Sequence, residues 1–280
     1  MAEPLRKKTT QMTERLEVSP AVAVVEEIGR SIARKASVAG RATLLFVDAC
    51  SYMSQAGRSL PVLIRQVEIS GFGSLMVLSL IAGLTGMIMA VQTGTALKDF
   101  GMVNQLGAII GATFCREMGP IWAAVIVLAR VGASMAAEIG TMVVNEEVDA
   151  LRSMSINPVR YLVMPRILAL IIAMPILTAV ADWVGMFGGA IISNITFNVS
   201  ISQFMASAQQ GLVGMDFFSG LFKSVVFACI IGTIACDRGL NTTDGAEGVG
   251  KSTTDSVVLN IVFVLLADLI MTTFVQLWLN

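Results

Sequence analysis

The chain has 280 residues, of which 55% are hydrophobic and 14% charged, with a formal net charge of −1 and no histidine. Soluble domains carry about 25% charged residues, so this composition indicates a membrane protein. The balanced charge argues against nucleic-acid binding, and the lack of histidine excludes histidine-based triads and most zinc and haem sites. The four cysteines form no CxxC pair. We therefore expect their side chains to be buried like small hydrophobic groups and to bind no metal.

The first seventy residues contain no apolar run long enough to cross a bilayer. Residues 1–20 are polar and lack the apolar core of a signal peptide, so we predict a disordered cytosolic tail. Residues 21–66 mix charged and apolar side chains at helical spacing, which favours an amphipathic helix lying in the membrane interface. An exposed helix packed on another subunit is the alternative.

Five apolar runs follow, each close to the length of about 20 residues that crosses a bilayer as a helix. They lie near 71–93, 107–133, 165–192, 217–236 and 257–278. Lysine and arginine are concentrated in residues 1–70, 134–164 and 237–256, so the positive-inside rule places the N-terminus in the cytosol and the C-terminus outside. The sequence therefore predicts an all-α integral membrane protein with five transmembrane helices.

The second span carries two adjacent charges, Arg116 and Glu117, about 15 Å from its outer end at the helical rise of 1.5 Å per residue. The same arithmetic places Lys223 of the fourth span about 10 Å below its outer end, and Asp268 of the fifth span near the middle of the bilayer. Charges in the hydrocarbon layer are costly unless they neutralise one another, and they often mark functional sites. We predict that these four side chains form one cluster, which either gates a substrate cavity or only fixes the packing of the helices.

The stretch 107–143 is longer than a bilayer is thick, so we expect Pro120 to kink it and its end to project into the cytosol. The pattern of residues 145–157 predicts a short amphipathic helix. Its acidic side chains come first and Arg152 follows, which is the order of charges that the helix dipole favours. Ala150, Leu151 and Met154 give this helix an apolar stripe. Such a helix needs a surface to dock on, which is either a partner subunit or the lipid headgroups.

Residues 245–252, GAEGVGKS, match the P-loop pattern GxxxxGK[ST]. That pattern binds phosphate between a strand and a helix of a nucleotide-binding fold, whereas apolar spans flank it here. We therefore expect a glycine-rich cytosolic turn, with residues 252–254 capping the last span, and no nucleotide site.

Four segments resemble the MlaE family of ABC-transporter permeases, in order and over residues 22–280. They are CREMGP, ARVGASMAAEIGTM, EEVDALRSMSINPVRYLVMPR and GAEGVGKSTTDSVV. The resemblance implies a homodimeric permease domain over 21–280 in the bacterial inner membrane, with an interfacial helix and five spans. It also implies a cytosolic ABC ATPase that binds ATP and Mg²⁺, a periplasmic MCE-domain protein and a phospholipid cargo. A STAS-type accessory subunit can join the ATPase, and no cofactor is implied for this chain itself.

The resemblance further implies roles for particular residues. The RELGP-type motif of the family matches Arg116–Pro120, with Met118 in place of leucine, and a lysine of the fourth span matches Lys223. The coupling-helix motif, through which the ATPase docks, matches Glu146, Glu147, Asp149, Ala150 and Leu151. The candidate liners of the lipid cavity are Gln92, Leu97 and Met118.

The sequence thus predicts the permease subunit of an ATP-driven phospholipid transporter that exchanges lipid between the inner membrane and an MCE assembly, with no enzymatic activity of its own. A permease for sterol or fatty-acid cargo is the main alternative. A secondary transporter that uses the charge cluster as a proton relay is another. A membrane-embedded enzyme is the third, although the sequence offers it no recognisable nucleophile–base pair.

Overall fold

The computed structural model describes residues 40–52, 60–212 and 214–279. The chain divides into two compact units, Met1–Leu44 and Leu45–Asn280. Of the first unit, only residues 40–44, the start of one helix, are described. The predicted tail 1–20 lies outside the described residues, as do 21–39 and 53–59 of the predicted interfacial helix.

The regular structure of the described residues is helical throughout. The helices are α1 (40–51), α2 (Leu60–Asp99), α3 (Val103–Val144), α4 (Glu147–Ser153), α5 (Val159–Phe197), α6 (Ile201–Gly211), α7 (Gly214–Leu240) and α8 (Gly245–Leu279). Five of them, α2, α3, α5, α7 and α8, are long and apolar enough to cross a membrane, in agreement with the five predicted spans. Each extends past its predicted span at both ends, and residues 60–66, assigned to the interfacial helix from the sequence, form the first turns of α2.

Short turns connect successive helices because the sequence supplies suitable residues at their ends. Gly101, just after α2, has a φ of +70°, a left-handed conformation that glycine adopts at little cost. Asn198 ends α5 with a φ of +56°. Ser200 caps α6, since its side-chain oxygen accepts a hydrogen bond from Gln203 N at 3.2 Å, one of the orphan donors of a helix start.

The most extensive helix pairing in the described bundle is that of α2 with α5. Glycines let the two backbones approach closely: a Cβ atom added to Gly86 would overlap the carbonyl of Gly185, and one added to Gly188 would overlap the carbonyl of Gly83. Close backbone approach at small residues is the usual means of helix association in membranes. The free thiols pack into the bundle, with Cys115 and Cys236 buried and Cys50 and Cys229 half-buried.

Helix α3 is interrupted by two π-helical turns, Phe114–Met118 and Leu128–Gly132. A π turn inserts one extra residue into a helix and is often found at functional sites. The first π turn ends two residues before Pro120, and the kink expected at this proline stays a prediction. Both arginines in the apolar part of α3, Arg116 and Arg130, lie in these turns.

The prediction of a glycine-rich turn at residues 245–252 is wrong, because these residues form the first turns of α8. The chain has already reversed at 241–244, where Asp244 takes a φ of +64°, and Ala246 to Lys251 continue as helix. Thr253 and Thr254 donate to the carbonyls one turn earlier in their own helix, so they do not cap it. A helix, α7, precedes this stretch where a P-loop needs a strand.

Candidate functional site

A buried ion-pair network joins α3, α7 and α8. Lys223 of α7 lies at its centre, with a side chain that is 3% exposed. Its Nζ donates hydrogen bonds to Glu117 Oε2 at 2.8 Å and to Thr272 Oγ1 at 2.7 Å, and it lies 3.0 Å from Asp268 Oδ1. Thr272 in turn donates to Glu117 Oε1 at 3.0 Å. One ammonium group thus connects two carboxylates that belong to two other helices.

The main chain of α3 provides another partner for Lys223. Nζ donates to the carbonyl oxygen of Arg116 at 3.1 Å. In a regular helix this carbonyl would accept a hydrogen bond from the N–H of residue 120, but Pro120 has none. The proline therefore leaves a carbonyl open beside the Glu117 carboxylate, and a single lysine binds both groups. This arrangement gives a physical reason for the sequence Arg-Glu-Met-Gly-Pro.

Arg116 forms a second ion pair, separate from the Lys223 network. Its Nε and Nη2 donate to Asp216 Oδ1 and Oδ2 at 2.8 and 3.0 Å, a bidentate geometry that strengthens such pairs. The Asp216 side chain is 5% exposed, whereas that of Arg116 is 49% exposed. Consecutive residues on a helix point about 100° apart, so Arg116 and its neighbour Glu117 reach different partners.

Three of the four residues predicted to cluster, Glu117, Lys223 and Asp268, are brought together by the structure, and Arg116 is paired elsewhere. Asp216 and Thr272 were missed from the sequence. The helical spacing of both residues could have identified them. Asp216 lies seven residues before Lys223 and Thr272 lies four residues after Asp268, so each shares a helix face with a residue that had been identified.

Asp182 of α5 is a further buried carboxyl group, 1% exposed. Neither of its side-chain oxygens has a hydrogen-bond partner among the described residues. Oδ1 lies where a Cβ atom of residue 119 would be. Gly119 of the Arg116–Pro120 segment is therefore needed for the close approach of α5 to α3.

The predicted cavity liners occupy two environments. Gln92 is exposed on α2, whereas Leu97 and Met118 are partly buried against one apolar cluster, which includes Phe114 and Phe204. Their contact with lipid stays a prediction. In the described part of the chain, no group of three or more cysteine, aspartate and glutamate side chains is arranged to hold a metal ion.

The predicted coupling helix corresponds to α4, Glu147–Ser153, which is shorter than the predicted 145–157. Glu146 and Ser155 bound it, each with a φ of +60°. Val148 is buried, 3% exposed, and anchors the helix to the bundle. The five predicted coupling residues are more accessible: Glu146, Glu147, Asp149 and Ala150 are exposed and Leu151 is half-buried. They form an acidic and apolar surface beside the end of α3.

Five apolar helices with a buried ionic network between three of them define a multi-pass α-helical membrane protein with a polar centre. Comparison with known proteins shows its family, because the Permease MlaE family matches residues 63–274. A probable ABC transporter permease protein of Rickettsia prowazekii is 36% identical over 245 residues, 88% of this chain and 95% of its own length.

Two further relatives come from Synechocystis and Arabidopsis thaliana. A probable ABC transporter permease protein of Synechocystis is 38% identical over 205 residues, 73% of this chain and 78% of its own length. The chloroplastic protein TRIGALACTOSYLDIACYLGLYCEROL 1 of Arabidopsis thaliana is 37% identical over 211 residues, 75% of this chain and 60% of its own length. The chain belongs to the MlaE permease family. It is the non-catalytic membrane permease subunit of an ABC transporter, a class that implies an ATPase partner.

Proposed function

We propose that this permease is the membrane subunit of an ATP-driven phospholipid transporter in the bacterial inner membrane. It acts as a homodimer, with its N-terminus in the cytosol and its C-terminus in the periplasm, and it exchanges lipid with a periplasmic MCE-domain protein. The observation that carries the proposal is the way α8 is attached to the bundle.

Helix α8 is the least buried span, yet a polar contact fixes it. In its most apolar stretch 11% of the residues are buried, against 33 to 56% in the other four spans. Many of its exposed side chains are large and apolar, among them Leu269 and Phe274. Lys223 nevertheless binds α8 to α3 and α7 through Asp268. An apolar surface on a helix that is also joined to the bundle by an ionic contact suits acyl chains, because a change at that contact would move the surface.

The same surface supports the proposal of a homodimer. Apolar side chains of α2 are also exposed, including Met76, Leu80 and Ile88. Two copies that face each other through α2 and α8 would enclose an apolar cavity, into which lipid can enter from the bilayer. The name of the Arabidopsis relative contains that of a diacylglycerol lipid, which favours a glycerolipid cargo over the sterol or fatty-acid alternative. Membership of an ABC permease family favours ATP over a proton gradient as the energy source.

Helix α4 is the proposed docking site for the ATPase. Besides its exposed acidic and apolar side chains, a groove of about 430 Å³ lies next to it, lined by residues that include Arg152, Ile156 and Leu240. ATP hydrolysis in the partner would shift α4, which leads directly from α3. The Lys223 network would transmit that shift from α3 to α8. A STAS-type subunit would bind the ATPase and would need no surface on this chain.

Replacing Glu147 and Leu151 together with arginine is expected to release the ATPase without unfolding the bundle. Both side chains lie at the accessible surface of α4, and Val148, which anchors the helix, is unchanged. Co-purification of the ATPase subunit with the tagged permease measures docking, and circular dichroism measures folding. Asp99→Arg is the matched control, because it is also an acid-to-arginine change but lies at the last residue of α2. This variant should retain the ATPase. Full retention by the double variant would contradict docking through α4.

The nature of the cargo is tested by mass spectrometry of the lipids that stay bound to the purified transporter complex. We expect phospholipid to be retained at a defined stoichiometry after extensive washing with detergent. Retention of sterol or free fatty acid in place of phospholipid would favour the alternative cargo and contradict this part of the proposal.

A further inference from the structure

A polar seam lies between α2 and α3, towards the end of the bundle that leads to α4. Its residues are Gln66, Ser70 and Ser74 on α2 and Arg130, Ser134 and Glu138 on α3. In each helix they recur at four-residue spacing and therefore share one face. A cavity of about 80 Å³ opens at this seam, lined by Gln66 and Ile69 from α2 and by Arg130, Ser134 and Glu138 from α3, among others. This volume is several times that needed for one water molecule, so the cavity has room for a small polar group.

Arg130 is an exposed residue of α3, and its guanidinium makes few contacts with the rest of the protein. Within the described part of the chain it has one hydrogen bond, from Nη1 to Ser74 Oγ at the long distance of 3.5 Å, and no ion pair. Gly73 provides the space in which it lies, since a Cβ atom at residue 73 would overlap it. A guanidinium has five N–H donors, so four of them are available to a ligand. Ser70, one turn from Ser74 on the same face, is buried with its hydroxyl unpaired among the described residues.

The nearby carboxylate does not neutralise Arg130. Glu138 accepts a hydrogen bond from Ser134 Oγ at 3.0 Å and pairs with Arg166 Nη2 at 3.1 Å. Arg166 donates in addition to the carbonyl of Leu162 in its own helix. Arg130 and Glu138 are the charged residues among those that line the cavity, and Glu138 is paired with Arg166 from outside that lining. Arg130 is therefore the lining charge without an ion pair among the described residues, and its unused N–H donors suit an anion.

The depth of Arg130 corresponds to the headgroup layer of a membrane. It follows Arg116 by fourteen residues, about 21 Å along α3 at 1.5 Å per residue. Arg116 itself lies near the bilayer centre by the predicted span positions. Half of the full bilayer thickness, headgroups included, is about 20–22 Å. Arg130 therefore lies at the level where the phosphate groups of one leaflet are found.

We propose that the polar seam is a binding site for a phosphate group, held by Arg130 with additional donors from Gln66 and Ser74. The planar guanidinium matches two phosphate oxygens at once, and its depth favours the phosphate of a lipid headgroup over free phosphate. Arg130 is about 21 Å along α3 from Arg116, and binding at the seam requires neither the ATPase nor transport. Its failure would leave the proposed function unaffected.

The test is a binding titration on the purified, full-length protein in detergent micelles. The probes are dioctanoyl phosphatidic acid, dioctanoylglycerol, which has the same chains without phosphate, and inorganic phosphate. We expect phosphatidic acid to bind and dioctanoylglycerol not to bind. Arg130→Gln should weaken phosphatidic acid binding about tenfold or more, as expected for the loss of charge-assisted hydrogen bonds, and Arg130→Lys should weaken it less. Arg160→Gln, which removes another exposed arginine at the same end of the bundle, should bind as the wild type does.

Competition between phosphatidic acid and inorganic phosphate identifies the source of the bound phosphate group. Phosphatidic acid binding that persists in excess inorganic phosphate supports a lipid headgroup, whereas inorganic phosphate that binds as tightly and displaces it supports a site for free phosphate. If Arg130→Gln does not fold, Gly73→Ala tests the same point, because the added methyl displaces the guanidinium and keeps its charge. Equal binding of dioctanoylglycerol, or wild-type phosphatidic acid binding by folded Arg130→Gln or by Gly73→Ala, would overturn the proposal.

Discussion

Replacing Lys223 with methionine is expected to destabilise the bundle by about 3–5 kcal/mol, the range seen when one partner of a buried ion pair is removed. The lysine is 3% exposed and lies within 3.0 Å of two carboxylates. Without it, Glu117 and Asp268 would be left as like charges in an apolar interior, and the Arg116 carbonyl would lose its hydrogen bond. Methionine has a similar volume, so the loss reflects charge and hydrogen bonding more than packing.

Thermal unfolding of the purified variant in detergent measures this effect, and ATP-dependent lipid transfer by the reconstituted complex should be abolished. Lys98→Met is the matched control, since Lys98 is exposed in the last turn of α2, and it should be close to wild type in both measurements. An unchanged unfolding temperature for Lys223→Met would show that the network does not hold the three helices together.

The second large effect is expected for Glu117→Lys, which should strongly impair transport. The new ammonium would lie near that of Lys223, at a position where the carboxylate Oε2 now lies 2.8 Å away, and like charges in a low-dielectric interior repel strongly. A transport assay in vesicles that contain the ATPase measures the loss. Glu68→Lys, at an exposed glutamate of α2, provides the control for the charge change itself.

A compensating change should restore only part of the activity. Lys223→Glu in the Glu117→Lys background recreates an opposite-charge pair, but the new carboxylate at position 223 would face Asp268. Adding Asp268→Asn removes that repulsion and should raise the recovery further. Wild-type transport by Glu117→Lys alone would remove the ion pair from the mechanism.

The apolar runs were sufficient to predict the spans. The depth of each charged residue within its span was sufficient to predict the contact between Glu117, Lys223 and Asp268. Charges on different spans at one depth have few ways to be neutralised in a bilayer, which is why this prediction was possible. The partner of Arg116 was not predicted, because Asp216 lies at the end of an apolar run and resembles an ordinary interfacial residue. Its spacing of seven residues from Lys223 was the available signal.

The π turns could not be predicted, because no residue pattern identifies an i→i+5 hydrogen bond in a sequence. They nevertheless determine where Arg116 and Arg130 point, since an inserted residue rotates the side chains that follow it. The glycines of 245–252 led to the wrong prediction, a turn in place of a helix. Glycine lowers helix propensity by about 1 kcal/mol, yet the stretch is helical because the chain reverses within the four residues before it.

We expect the Lys223 network to transmit motion from α3 to α8 and to do more than hold the bundle together. A triple variant with Glu117→Gln, Lys223→Met and Asp268→Asn removes all three charges at once, and replacing a buried ionic group by neutral side chains of similar volume often costs little stability. The measurement is ATP-dependent lipid transfer by this variant reconstituted with its ATPase. The variant should fold, bind the ATPase and show no ATP-dependent transfer, whereas transfer at the wild-type rate would contradict the claim and reduce the network to a structural brace.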